Sequence, residues 1–218
     1  MINRNEMKVM RNVFRLKKTE LFQIKEGNHI YNGPNQSWYP KRFQKMAGCG
    51  PTACSNIMWY LSKTKEHYNG LCTYDGTTYE GFLKLMEDVW RYVTPGLMGV
   101  NKLEIFEKGA ISYGKDRGYD LSCKSLRIPG RNQISETEIE EAFDFIEEML
   151  EKDLPVAFLN LHNGQLLNLE SWHWVTIYEL DREKGSVSIL DQSRLEEIDL
   201  KLWMKTTSKG GGFVVVSC

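Results

Sequence analysis

The apolar periodicity of the chain changes once along its length, and that change limits what it can fold into. Before about residue 152 apolar residues recur at helical spacing; after it they gather in short runs. Cys54, Ile57, Met58 and Leu61 form one face of a helix that begins near Cys49. Two further helical patterns run near 78–92 and 101–115, the second opened by Asn101 as a cap and carrying Leu103, Phe106, Ala110 and Tyr113 on one stripe. A fourth begins at Ser135, with Glu138 at capping-box spacing, and continues through Ile139, Ala142, Phe143, Ile146 and Leu150. The segments "LPVAFLNL" (154–161), "WHWVTIYEL" (172–180), "SVSILDQ" (186–192) and "GGFVVVS" (211–217) are short, apolar or alternating, and bounded by Gly, Asp and Asn, so they read as strands. Helices first and strands afterwards predict an α+β layout, not an alternating β-α-β one. The 218 residues fit a single domain with a helical lobe over about 41–152 and an antiparallel sheet lobe over about 153–218. A strand near Val13–Leu16 is a candidate extra member of that sheet, and the Gly, Asn and Pro of residues 25–40 predict a long loop.

Composition narrows the function classes. A net charge of -1, with basic clusters such as "RLKKTE" mixed with acids, gives no electrostatic case for nucleic acid. No run of 18 apolar residues and no charged-then-apolar leader is present, so the expectation is a soluble, cytoplasmic protein with no membrane partner. The five cysteines (Cys49, Cys54, Cys72, Cys123 and Cys218) are odd in number and contain no C-x-x-C pair. Free thiols in a reducing compartment fit better than a disulfide framework or a zinc ribbon. Cys49 and Cys54 lie five residues apart on one helix and face different directions, which weakens a shared redox or metal role.

The segment "GCGPTA" (48–53) places one of those thiols at a helix mouth. Pro51 suits the first turn of a helix, and Gly50 admits an unusual backbone conformation before it. There the unpaired N–H groups and the positive end of the helix dipole favour thiolate over thiol. A nucleophilic cysteine needs a proton carrier, and the chain offers four histidines. His29 lies in the Gly/Asn loop and His67 in a polar stretch, both read as solvated; His162 follows a strand in a turn. His173 opens the strand "HWVTIYEL", and the turn "DREKG" leads to a strand ending in Asp191. With Ile177 opposite Ile189, Val175 faces Asp191 and His173 becomes the diagonal neighbour of that carboxylate, within hydrogen-bonding reach. Asp191 then holds the imidazole as the third member of a triad does, while a one-residue slip would break the arrangement. For the oxyanion, the Cys49 N–H is one donor and the amide of Gln44, five residues upstream, is the candidate second.

Gln44, "GCGPTA" opening a helix, "HWV" at 173–175 opening a strand and "LD" at 190–191 ending the next resemble, in order and separation, the papain-like cysteine peptidases. More narrowly the chain is similar to the bacterial peptidases that remove double-glycine leaders from bacteriocins, and to their stand-alone relatives. The resemblance covers the start of the first helix and the final sheet. It implies a papain-like α+β fold with the site between the lobes, catalytic roles for Cys49, His173, Asp191 and Gln44, a peptide or other amide substrate, and no metal or organic cofactor. Family members commonly carry Asp-Pro where this chain has "DQS", and the intervening helical region is long for a leader peptidase, so double-glycine specificity is not part of the expectation. Acyl transfer to an amine through the same thiol, and a binding module that keeps the fold without the chemistry, are the alternatives. The aromatics of "NQSWYP" (35–40) and "ESWHW" (170–174) are candidates for the cleft wall, though Trp and Tyr in such places are more often core or rim residues.

Overall fold

A computed structural model describes residues 12–130 and 134–217; Cys218 lies outside the described residues. The sheet is built from β1 (Val13–Arg15), β4 (Ser122–Ile128), β5 (Val156–Asn160), β6 (His173–Asp181), β7 (Ser186–Asp191), β8 (Arg194–Asp199) and β9 (Gly211–Ser217). These seven strands run antiparallel in the order β4-β9-β5-β6-β7-β8, with β1 pairing the far end of β6. A separate hairpin joins β2 (Gln23–Glu26) to β3 (His29–Asn32). The helices are α1 (Arg42–Ala47), α2 (Cys49–Thr64), α3 (Tyr79–Trp90), α4 (Leu103–Lys115), α5 (Glu136–Glu151) and α6 (Leu200–Thr206). None of these helices is long and apolar enough to cross a membrane.

Strand alternation puts helices on both faces of the sheet. Trp174 and Thr176 of β6 look one way. The Trp174 indole stacks on Phe106 of α4 at 4.5 Å between ring centroids, and Asn56 of α2 donates its Nδ2–H to Thr176 Oγ1 at 3.0 Å. Val175 and its cross-strand partner Phe158 look the other way, where Phe158 meets Trp203 of α6 edge-on at 4.6 Å and its neighbour Phe213 meets Phe145 of α5. Helix α2 is buried along nearly its whole length, because it fills the space between the sheet and α3. A helix apolar on one stripe would not need this; α2 buries polar residues as well, and the Asn56 amide N–H is paired with Thr176 while the Thr52 hydroxyl and the Asn56 Oδ1 have no hydrogen-bond partner.

The mixed helix and sheet composition is the expected one, but the elements are not segregated as the sequence suggests. Strand β4 lies inside the stretch expected to be helical, where it pairs with β9, so the sheet does not begin at residue 153. The stretch expected to be a loop at 25–40 contains the β2/β3 hairpin, turned by Gly27 at φ +57. Asn101 does not cap α4: the cap is Lys102, which makes no side-chain cap bond. Thr78 caps α3 and Ser135 caps α5 through their side chains.

The turn between β7 and β8 has two central residues, Gln192 at φ +45 and Ser193 at φ +67, the left-handed pair that suits a tight hairpin. Neither is glycine, and the Ser193 hydroxyl is buried without a hydrogen-bond partner. Ser193→Gly is therefore expected to raise stability by about 1 kcal/mol, since it relieves a left-handed side chain and removes an unpaired hydroxyl. Urea unfolding of the two proteins checks this; equal or lower stability of the variant would count against it.

Candidate active site

The site gathers where the mouth of α2 meets the ends of β6 and β7. Gly48 caps α2 in a helical conformation, φ -82 and ψ -3, and Cys49 is its first residue. Pro51 sits in the first turn, where its missing N–H is not needed. The flanking glycines serve close packing. Gly50 is helical, not in the unusual conformation expected from the sequence, and a Cβ there would stand 2.8 Å from Val100. At Gly48 a Cβ would stand 2.6 Å from the Tyr39 ring. The two small residues let a ring and a loop press against the helix mouth and hold the thiol in place.

His173 opens β6, and β6 pairs with β7 in the register in which Ile177 faces Ile189 and Thr176 faces Leu190. Extending that register puts Asp191 diagonal to His173. The His173 Nε2 and Asp191 Oδ1 are 2.7 Å apart, with residue His173 5% exposed and residue Cys49 8% exposed. Because Nε2 engages Asp191, Nδ1 is the ring atom left for Cys49. The Cys49 Sγ also lies 4.0 Å from the Trp172 carbonyl oxygen. Burial alone pushes the His173 pKa down, but the hydrogen bonds to Asp191 and Cys49 and the negative charge of both outweigh it, raising the pKa from 6.5 to about 10. Both partners thus favour the charged imidazolium over the neutral ring.

That shift has a consequence for stability. The folded state binds the His173 proton more tightly than the unfolded chain does, so between pH 6.5 and about 10 the folded state holds more protons. The contribution is complete below pH 6.5 and is lost as pH rises toward 10. Denaturant unfolding at pH 6 and pH 10 is expected to show a fall in stability that is smaller in Asp191→Asn; an equal fall in both proteins would contradict the assignment.

The segment that precedes His173 is fixed from below. Asn160 at the end of β5 donates to the Glu170 carbonyl at 2.6 Å and accepts from the Trp203 indole N–H at 2.8 Å and from the His162 N–H at 3.1 Å. His162 itself accepts the Gly164 N–H through Nδ1 at 3.1 Å, a loop-holding role away from the thiol. His29 stacks edge-on with Tyr31 and is exposed, as is His67.

Gln44 and Gln36 occupy places the sequence does not reveal. Gln44 is in α1, not in a loop, and its Oε1 accepts the Lys41 N–H at 3.3 Å, closing the first turn of that helix. It is absent from the walls of the cavity that Cys49, His173 and Asp191 line together. Gln36 is one of those walls. The Gln36 Nε2 donates one hydrogen to the Lys45 carbonyl at 2.9 Å, which fixes the amide orientation and leaves its second hydrogen. Gln36 reaches the site because the Ser193 N–H bonds the Pro34 carbonyl at 3.2 Å and the Asn32 N–H bonds the Ser193 carbonyl at 3.2 Å, docking this strand end on the turn after Asp191. The weak signal in the sequence is "NQS": the Asn35 side chain accepts the Ser37 N–H at 2.8 Å and caps a short 3-10 turn at Gln36–Trp38.

Of the aromatics considered for a cleft wall, Tyr39 and Trp174 are buried core residues, and Trp38 packs on Tyr31 and Tyr79. Trp172 is half-exposed beside Cys49. The three other described thiols are placed differently from Cys49. Burial raises the pKa of Cys54 well above the ordinary thiol value, raises that of Cys72, and pushes that of Cys123 up to about 12.

No family model matches the chain, and no curated protein matches it. Among solved structures, the Pseudomonas avirulence protein AvrPphB aligns over 82% of this chain and 95% of its own length, with a TM-score of 0.34 and 10% identity. At that level no activity carries across, and the chemistry rests on the side chains themselves.

Proposed function

We propose that the protein is a papain-like cysteine peptidase or amidase that cleaves an amide bond through Cys49, His173 and Asp191. The observation that carries the reading is the convergence of a helix-mouth thiol with a buried, carboxylate-bound imidazole whose second nitrogen faces that thiol. Three parts of a nucleophilic site line one cavity, and the Cys49 N–H and the Gln36 amide beside them are the two candidates for the oxyanion donor.

The Cys49 thiolate attacks the carbonyl carbon of the substrate, and the C=O electron pair moves onto oxygen. That oxyanion is met by the Cys49 backbone N–H, which as a first-turn group has no partner in its own helix, and by the free amide hydrogen of Gln36. Gln36 thus takes the role that sequence proximity assigns to Gln44. The His173 imidazolium passes its Nδ1 proton to the leaving nitrogen as the C–N bond breaks, giving free amine and a Cys49 thioester. Neutral His173 then takes a proton from water as the water oxygen attacks the thioester. The acid leaves, the thiolate returns, and the imidazolium is restored. Asp191 holds the ring at 2.7 Å throughout and stabilises its charged form.

The test is single-turnover mass spectrometry with a mixed peptide pool. An acyl adduct on the Cys49 peptide that decays in water with release of shortened peptides supports the reading. With an added primary amine, transfer of the acyl group to that amine in preference to water would replace hydrolysis by acyl transfer, and absence of any adduct on Cys49 would sink both.

A further inference from the structure

We infer that the floor of the catalytic cavity is a binding site for one water molecule through which Asn56 positions the Gln36 amide, an inference that rests on the peptidase reading for its effect on rate. The cavity lined by Cys49, His173 and Asp191 measures about 20 Å³, room for one water and too little for a peptide segment. Three residues on its wall carry a buried side-chain atom with no hydrogen-bond partner: Gln36 Oε1, Thr52 Oγ1 and Asn56 Oδ1. Such atoms are rare in folded proteins, and their gathering at one small cavity points to a polar ligand.

The chemistry of the three atoms fixes what that ligand must be. Asn56 donates its Nδ2–H to Thr176 Oγ1 at 3.0 Å, and Gln36 donates its Nε2–H to the Lys45 carbonyl at 2.9 Å, so both amide oxygens are acceptors in need of a donor. Two acceptors cannot satisfy each other, and the Thr52 hydroxyl has one hydrogen, which serves one of them at most. The Trp174 indole and the Gln192 amide on the same wall donate elsewhere, to the Val100 carbonyl and to Glu170. A ligand with two hydrogens to give and a lone pair to receive meets all three atoms, and at this volume it is water. It donates to Asn56 Oδ1 and Gln36 Oε1 and accepts from Thr52 Oγ1. Thr52 and Asn56 are four residues apart on α2 and so stand one above the other on its cavity-facing side.

The consequence is positional. Gln36 sits in a short 3-10 turn outside the main helices, and its amide is held at nitrogen by the Lys45 carbonyl. A water on the oxygen holds the other end of the same plane, and with both ends fixed the second Nε2 hydrogen points one way. Asn56 and Thr52 belong to the helix that begins at Cys49, so the water ties the oxyanion donor to the same rigid element as the nucleophile.

The test is a crystal structure of the free protein at a resolution that shows ordered water, with kinetics of two variants beside it. The expected result is a density peak about 2.5–3.2 Å from Asn56 Oδ1, Gln36 Oε1 and Thr52 Oγ1, lost in Asn56→Leu. No peak there, or an Asn56 amide turned so that its nitrogen bonds Gln36 Oε1 directly, overturns the site. Asn56→Leu and the isosteric Thr52→Val are each expected to lower kcat about tenfold with KM within twofold, a smaller loss than removal of the donor itself. Neither change is expected to lower kcat further in Gln36→Ala, because the group it positions is already gone. A loss that adds in full to that of Gln36→Ala, or no loss in either variant, overturns the positioning role. A native protein without amidase activity would sink the peptidase reading and the positioning role with it, while the density still decides the water site.

Discussion

Cys49→Ala is expected to abolish the proposed amide cleavage, lowering kcat at least 10⁴-fold, while its urea unfolding midpoint stays near that of the parent protein. The size of the effect follows from the position of the sulfur: it is the one described thiol that shares a cavity with the buried His173 imidazole, and the Thr52 and Thr176 hydroxyls that also line that cavity are far weaker nucleophiles than a thiolate. His173→Ala is expected to match it to within about tenfold, because thiolate without a proton donor leaves the amine unprotonated. Fluorescence-quenched peptides measure both. Retention of more than a hundredth of the parent rate in Cys49→Ala would place the chemistry elsewhere.

The second large effect separates two glutamines. Gln36→Ala is expected to lower kcat about 10²–10³-fold with little change in KM, the signature of a donor that acts on the developing oxyanion. Gln44→Ala removes an acceptor for the Lys41 N–H and is expected to cost about 1 kcal/mol of stability at most, with kcat within twofold. Steady-state kinetics of the two variants decide between them. A kcat lost in Gln44→Ala and kept in Gln36→Ala would reverse the assignment.

What the sequence discloses and what it hides follow from burial. Strands β5, β6, β7 and β9 are legible because their residues are buried on one or both faces, which writes continuous or alternating apolar runs into the chain. The β6/β7 register is legible for the same reason: pairing Ile177 with Ile189 keeps two buried residues together, and a slip would expose them. Strands β4 and β8 lie at the two ends of the sheet path and are mostly exposed, so "SCKSLRI" and "RLEEID" carry mainly polar letters and no strand period. Helix α1 is six residues long, too short for its spacing to speak, and so Gln44 reads as a loop residue.

The Gln36 position is hidden by a different cause. Sequence proximity favours Gln44 because it is five residues from the thiol, but distance along a chain is not distance in space. The approach of Gln36 depends on hydrogen bonds between residues 32–34 and Ser193, across some 160 positions, and no local pattern encodes such a contact. A cavity beside Cys49 lined mainly by apolar side chains is hidden likewise: Phe43, Met46, Leu97, Met98 and Trp172 come from three separate segments, and each alone reads as a scattered surface hydrophobe.

The measurement that bears most directly on the central claim is the rate of iodoacetamide alkylation of Cys49, Cys54, Cys72 and Cys123 at pH 7, resolved by mass spectrometry in the native protein and in His173→Ala. The account predicts that Cys49 labels at least tenfold faster than the other three, whose thiols burial keeps protonated, and that this advantage collapses in the variant. If Cys49 labels no faster than Cys54, or equally fast without His173, the pair is not an activated one and the catalytic reading is contradicted.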